Sequence, residues 1–250
     1  MNIDLSGKIA LVTGASRGIG RETALLLAKA GARTIINYIK SKEKAEDVKK
    51  AVEISGGEAD IFQADVANPE DVNSLFDFIR GKYNTLDILV NNAGTIKDNL
   101  LLSMTLAEWD IVLDTNLRGA FLCTQKAAEM MMASHSGKII NVSSTGALRG
   151  GRGQTNYASA KGGLISFTIA CAVELAGKGI QVNAVLPGMI VTDMSTRVRK
   201  RAGDRILVKI PAARFGEPAD VANLIVFLAS SHSDYITGQA IPVDGGLSIS

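Results

Sequence analysis

The 250-residue chain is poor in the side chains that cross-link or hold metals, with only two cysteines and two histidines. Cys123 and Cys171 each sit inside an apolar stretch of helical period, which suits buried, reduced thiols rather than a disulfide or a metal site. His135 and His232 have no second histidine or cysteine at ligand spacing, which leaves no protein-bound metal in the reading. Charge of either sign is not in excess. Lysine and arginine number 27 against 25 acids, and a formal net charge of +2 is too mild to imply a nucleic-acid partner. Five prolines leave no proline-rich linker, and neither a repeat nor a low-complexity stretch breaks the chain, so residues 1–250 are expected to form a single domain. No apolar run reaches the roughly 20 residues of a bilayer span. The opening MNIDLSGKIALVTG has neither a basic leader nor a small-residue cleavage site, and the expectation is a cytoplasmic protein without a membrane partner.

What is present is a rhythm. Seven short apolar runs, KIALVTG, RTIINY, ADIFQADV, LDILVNNAG, GKIINVSS, GIQVNAVLPG and QAIPVDGG, alternate with segments of helical period. Near-continuous apolar strands separated by helix-length segments indicate parallel βαβ units covered on both faces. The expected fold is therefore α/β, a Rossmann-like, doubly wound parallel sheet of about seven strands. In such sheets ligands bind at the carboxyl ends of the strands, so the motifs that end them should converge on one crevice. Those motifs are TGASRGIG, DV, NNAG, VSS and PGMIVTD.

TGASRGIG closes the first strand and opens a helix. Gly14, Gly18 and Gly20 remove side chains where backbone approaches a pyrophosphate and where helix meets sheet, and the helix N-terminus faces the phosphates. YASAK holds the second signal. Tyr157 and Lys161 are four residues apart on a helix and share one face, among small side chains that leave it open. A carbonyl becoming an alkoxide needs a proton donor, and a nearby ammonium is expected to lower the phenol's pKa from about 10.

In combination these motifs resemble the short-chain dehydrogenase/reductase family, over essentially the whole chain. The resemblance implies a catalytic tetrad of Asn116, Ser144, Tyr157 and Lys161. Ser143 competes with Ser144, but the family's thirteen-residue step to the tyrosine selects Ser144. Asn116 would anchor a water linking Lys161 to solvent. The cofactor would lie on the glycine loop, with Gly14, Ser16, Arg17, Gly18, Ile19 and Gly20. Asp65 and Val66 would hold the adenine, and Asn92, Ala93 and Gly94 would line the adenosine ribose and the crevice floor. Tyr157 and Lys161 would meet the nicotinamide ribose, with Pro187, Gly188, Ile190 and Thr192 at the nicotinamide end.

NAD-specific members end the second strand with an acid that would repel a 2′-phosphate. Here Tyr38 stands in that place, followed by Lys40 and Ser41, with Arg17 projecting from the glycine loop, and NADPH is the expected cofactor. Two further stretches, TIKDNLLLSMTLAEWD and IPAARFGEP with YITGQAIPVDGG, resemble the family's 3-oxoacyl-[acyl-carrier-protein] reductases. The implied reaction is reduction of a 3-oxoacyl thioester in fatty acid or polyketide synthesis. Alternatives are an NADP-dependent sugar or polyol dehydrogenase, a general carbonyl reductase, or a non-catalytic NADP(H)-sensing module. An acidic acyl-carrier protein would be met by a basic collar of Arg149, Arg152, Lys178, Arg197, Arg199, Lys200 and Arg201, partly on a lid over about 189–213. Two long helices, about 105–132 and 157–177, carry more apolar surface than one sheet face needs, which with the resemblance implies a homotetramer.

Overall fold

The protein is described here from a computed structural model covering residues 3–250. All seven expected strands form, as β1 (Ile9–Val12), β2 (Arg33–Tyr38), β3 (Ala59–Gln63), β4 (Ile88–Asn91), β5 (Gly137–Val142), β6 (Ile180–Pro187) and β7 (Ala240–Val243). They make one parallel sheet in the order β3-β2-β1-β4-β5-β6-β7. The order reverses between β1 and β4, which opens a crevice at their carboxyl ends.

Both sheet faces are apolar because successive residues of each strand feed opposite cores. From β1, Ala10 and Val12 join Ala24, Leu27, Val48, Val221 and Ile225 on one side. Leu11, between them, joins Leu75, Phe76, Cys123, Ala127 and Met131 on the other. The first layer consists of α1 (Gly18–Lys29), α2 (Lys42–Ile54) and, from the far end of the chain, α9 (Pro218–Leu228). The second consists of α3 (Pro69–Tyr83), α4 (Leu106–Leu113), α5 (Gly119–Ser134) and α7 (Thr155–Leu175). Two shorter segments border the crevice, α6 (Gly146–Arg149) and α8 (Thr196–Leu207).

The long helix expected over 105–132 is interrupted. A capping box between Thr105 and Glu108 starts α4, a π turn spans Asp114–Arg118, and α5 resumes at Gly119. The cause is local: Asn116 is buried and its amide donates to the Val112 and Thr95 carbonyls at 2.8 and 2.9 Å, competing with the regular ladder. The Thr155–Lys178 stretch, contrary to the expectation from the sequence, is long and apolar enough by composition to cross a membrane. It nevertheless lays Asn156, Lys161, Leu164, Thr168 and Ala172 inward as a buried face. Cys123 is buried as expected, whereas Cys171 is only partly so, and both are free thiols.

Candidate active site

A cleft of about 940 Å³ runs across the carboxyl ends of β1, β2, β4, β5 and β6. It gathers every expected site residue except one. Gly14, Ser16, Arg17, Gly18 and Ile19 form one wall, Tyr38, Lys40, Ser41, Asp65 and Val66 the adenine-side end, and Asn92, Ala93 and Gly94 the floor. Asn116, Ser144, Tyr157, Lys161, Pro187, Gly188, Ile190 and Thr192 form the other end. The exception is Gly20, which faces inward: a Cβ there would lie 2.3 Å from Asn92 Nδ2 and 2.7 Å from the Gly14 carbonyl. Its hydrogen is what lets α1 approach the sheet.

The glycine loop is held from below. Gly14 and Gly18 have φ of 62° and 56°, which a side chain would strain. Three polar side chains fix the loop, Thr13 and Asn37 buried and Asn92 half-buried, and only Asn92 is an expected site residue. Asn37 accepts from the Gly14 N–H at 3.2 Å and donates to the Ala64 carbonyl at 3.0 Å. Thr13 Oγ1 accepts from the Asn92 and Ala93 N–H groups, each at 3.0 Å. Asn92 donates its amide to the Thr13 and Gly14 carbonyls at 2.9 and 3.1 Å, so its side chain braces the loop. Asn37 carries a sequence signal, a lone amide in the apolar strand RTIINY; Thr13 carries none.

No carboxylate ends β2, and the local positive charge comes from Arg17, Lys40 and Lys44. Arg17 pairs with Asp193 across the cleft at 3.3 Å, and Lys44 approaches the same carboxylate at 3.9 Å. Both ends of the Arg17 pair are well exposed, so the contact is weak and exchangeable.

At the other end, β5 and α7 bring three groups together. Ser143 is buried and donates to the Lys161 carbonyl at 2.8 Å, which makes it a structural pin and leaves Ser144 as the hydroxyl in the cleft. Ser144 Oγ accepts from the Gly146 N–H at 3.0 Å, and its own O–H is directed to the Tyr157 phenol. Lys161 is 4% exposed and donates to the Val142 carbonyl at 2.7 Å. Its Nζ lies 5.9 Å from the centre of the Tyr157 ring. Burial lowers the Lys161 ammonium to about 8.

Tyr157 departs from expectation. Burial holds its phenol above the usual value, a hydrogen bond with Ser144 acts the other way, and the Asp98 carboxylate adds to the rise. The Lys161 ammonium is turned to the Val142 carbonyl and is itself disfavoured by burial. A neutral phenol at pH 7 is the form that can donate a proton.

Asn116 Oδ1 is buried without a hydrogen-bond partner. A Cβ on Gly94 would fall 2.7 Å from that oxygen and 3.7 Å from Lys161 Nζ, so the two polar atoms flank the space that glycine leaves. An orphaned acceptor, an open glycine floor and a cation-rich end without a carboxylate on β2 are a donor set that fits a phosphorylated dinucleotide.

The basic collar separates into two groups. Arg197, Lys200 and Arg201 are exposed on α8, beside the cleft-lining Ser195 and Val198, and none has an ion pair among the described residues. Arg199 is tied back to Ser195 Oγ at 3.0 Å and to Thr196 Oγ1 at 3.4 Å, and Arg149 donates to the Leu247 carbonyl. Lys178 does not belong: it precedes β6 and lies at the amino end of the sheet, opposite the cleft. Residues just before a parallel strand fall there by topology, which the sequence reading overlooked.

Residues 14–248 match the family model described as Enoyl-(Acyl carrier protein) reductase. The 3-oxoacyl-[acyl-carrier-protein] reductase FabG of Staphylococcus aureus (strain N315) is 48% identical over 240 residues, 96% of this chain and 98% of the relative. The 3-oxoacyl-[acyl-carrier-protein] reductase of Synechocystis sp. is 47% identical over 244 residues, 97% of this chain and 98% of that one. Among solved structures, a short-chain type dehydrogenase/reductase from Mycobacterium marinum superposes with a TM-score of 0.93 at 37% identity, covering 98% of this chain and 96% of the other. A protein provisionally assigned as an NAD(P)-dependent gluconate 5-dehydrogenase from Beutenbergia cavernae, with NADP bound at low occupancy, gives 0.95 at 34% identity over 100% of both chains.

Proposed function

The chain belongs to the short-chain dehydrogenase/reductase family, and from that premise we propose that it reduces the 3-oxo group of an acyl thioester on acyl-carrier protein to a 3-hydroxyl group, with NADPH as reductant. The observation that carries this reading is the convergence of Ser144, Tyr157, Lys161 and Asn116 with the glycine loop on one cleft. The near-full-length likeness to two 3-oxoacyl-[acyl-carrier-protein] reductases supports the substrate class.

A nicotinamide cofactor held in the cleft by the glycine loop, Tyr157 and Lys161 would supply a hydride for the carbonyl carbon. The chain supplies everything else. Ser144, whose O–H turns from Tyr157 to the substrate, and the neutral Tyr157 phenol are two donors for the carbonyl oxygen as negative charge develops there. Tyr157 gives up its proton to that oxygen and must regain it. Lys161, near neutrality at about 8, is the group placed to return one, and the unpaired Asn116 Oδ1 offers a water site that connects Lys161 to solvent. Preference for the phosphorylated cofactor is supported by Arg17 and Lys40 together with the missing carboxylate at Tyr38.

Residues 189–213 act as a lid, and exposed Arg152, Arg197, Lys200 and Arg201 receive the acidic carrier. The apolar side chains that α5 and α7 leave in solvent, among them Phe121, Met132, Ile169 and Val173, support burial against further copies of the chain in a homotetramer. A second reading, oxidation of a sugar acid, draws on the superposition with the gluconate 5-dehydrogenase.

One assay separates the readings: NADPH oxidation with acetoacetyl-carrier protein and acetoacetyl-CoA, beside NADP⁺ reduction with gluconate. The thioesters should turn over with NADPH well ahead of NADH, and Tyr157→Phe should lose turnover while still binding NADPH. Gluconate as the faster substrate would replace the proposal with the second reading.

A further inference from the structure

Asn156 immediately precedes Tyr157 and is completely buried. Its carboxamide touches three segments of chain. Oδ1 accepts from the Tyr157 N–H at 2.7 Å, and Nδ2 donates to the Lys97 and Glu108 carbonyls at 2.9 and 3.0 Å. The first N–H groups of a helix have no partner within it. Gln154, at the N-cap of α7, offers no side-chain cap, so the Tyr157 N–H depends on Asn156.

The other two bonds reach the opposite wall. Lys97 follows Thr95 and Ile96, which line the cleft, and Glu108 belongs to α4, whose Ile111 lines it too. The other ties between these walls lie nearer solvent: the half-buried Asn99 N–H donates to the Gly153 carbonyl at 2.9 Å, Thr155 Oγ1 meets Met104 Sδ at 3.6 Å, and Gln154 meets Asp98 at 3.3 Å. We propose that Asn156 is a positioning residue for the reaction, locking the first turn of α7 to the substrate-side wall and thereby fixing where the Tyr157 hydroxyl meets the carbonyl oxygen. This rests on Tyr157 being the proton donor. Proton transfer tolerates little displacement, and a shift of about 1 Å in a reacting group costs on the order of 10²-fold in rate.

The test uses Asn156→Ala and the milder Asn156→Ser in the full chain, with Tyr157→Phe as control. NADPH binding sites are titrated by fluorescence, and turnover of acetoacetyl-CoA is expressed per binding site. The glycine loop is remote from Asn156, so NADPH affinity should stay within about twofold while kcat falls on the order of 10²-fold in the alanine variant and less in the serine variant. Asn156→Asp keeps the acceptor for the Tyr157 N–H but presents a charged oxygen to two carbonyls. It should be as slow as alanine and should move the pH dependence of the reverse oxidation to higher pH. Unchanged kcat per NADPH site, with only a lower Tm, would overturn the proposal, as would failure of both Ala and Ser variants to yield NADPH-binding protein, which would make Asn156 a folding residue. Turnover surviving in Tyr157→Phe would instead remove the reading on which the proposal rests.

Discussion

Gly94→Ala adds a single methyl group to the floor of the cleft, and its consequences follow from distances. Gly94 does not have a left-handed φ, so alanine incurs no backbone strain and the whole effect is steric. The new Cβ would sit 2.7 Å from Asn116 Oδ1, inside the 3.0 Å that Cβ contacts respect. Asn116 cannot retreat freely, because its amide is held at 2.9 Å by the Thr95 carbonyl and at 2.8 Å by the Val112 carbonyl. Unpairing one buried donor costs about 1–3 kcal/mol, and forcing a methyl into packed space costs a similar amount. The sum, about 2–6 kcal/mol, corresponds to a Tm lower by roughly 4–24 °C in a chain of this size. Thermal unfolding of the cofactor-free protein measures it. A double-mutant cycle isolates the cause: Asn116→Ala removes the obstructing oxygen, and Gly94→Ala should then cost at least about 1 kcal/mol less than in the parent. A Tm within about 2 °C of the parent, or strictly additive effects, would refute the claim that Gly94 exists to leave room for Asn116.

The buried lysine gives a second test. Its folded pKa of about 8 lies below the ordinary 10.5, so its burial penalty is fully present below pH 8 and is relieved as pH rises toward 10.5, at most about 3 kcal/mol. Lys161→Met, which forfeits about 1 kcal/mol of hydrogen bonding to Val142, should therefore be more stable than the parent by about 1–2 kcal/mol at pH 7, lose that advantage between pH 8 and 10.5, and have no turnover. Denaturation at a series of pH values checks this, and lower stability at pH 7 would contradict it. Reversing charge on α8, Lys200→Glu with Arg201→Glu, should raise KM for the carrier-bound thioester about tenfold and change KM for the CoA thioester less than twofold, with the gap closing in high salt. Equal effects on the two substrates would remove the collar.

The strands were legible because each is a short β-branched apolar run ended by a glycine or a polar turn, and a parallel sheet covered on both faces demands such runs. The glycine loop and the Tyr157–Lys161 pair were legible because their spacing is local, whereas Ser144 and Asn116 came with the family resemblance, and all of them line one cleft. What escaped has partners distant in sequence. Thr13 and Asn92 meet across 79 positions, and Asn156 reaches Lys97 and Glu108, so no window of sequence carries their signature. The π turn at Asn116 is half of this kind, since its amide bonds both the Val112 carbonyl one turn back and the Thr95 carbonyl 21 positions away. Electrostatics escaped differently. An ammonium four residues from a phenol suggests mutual stabilisation, yet in the folded chain burial penalises both charged forms.

That result bears on why the cleft is built as it is. Deeper in the same layer, Asn91 donates to Asn141 at 2.8 Å and to Thr124 at 3.0 Å, and Asn141 donates to Thr168 at 2.9 Å. This chain of buried amides and hydroxyls joins α5, β4, β5 and α7 through their middles. Thr168 lies two turns beyond Lys161 on α7, and Thr124 about two turns beyond Asn116. A core held together by directional bonds at that depth can carry strain one or two turns higher, where the Lys161 ammonium is disfavoured and Asn116 Oδ1 goes unpaired. Departures from local consistency are expected where a fold serves chemistry rather than stability. Thr23, Thr34 and Asn91 also leave a buried side-chain oxygen unpaired among the described residues, but the one on Asn116 shares the space beside Gly94 with the disfavoured Lys161 ammonium, and that pairing is the reason to read it as functional.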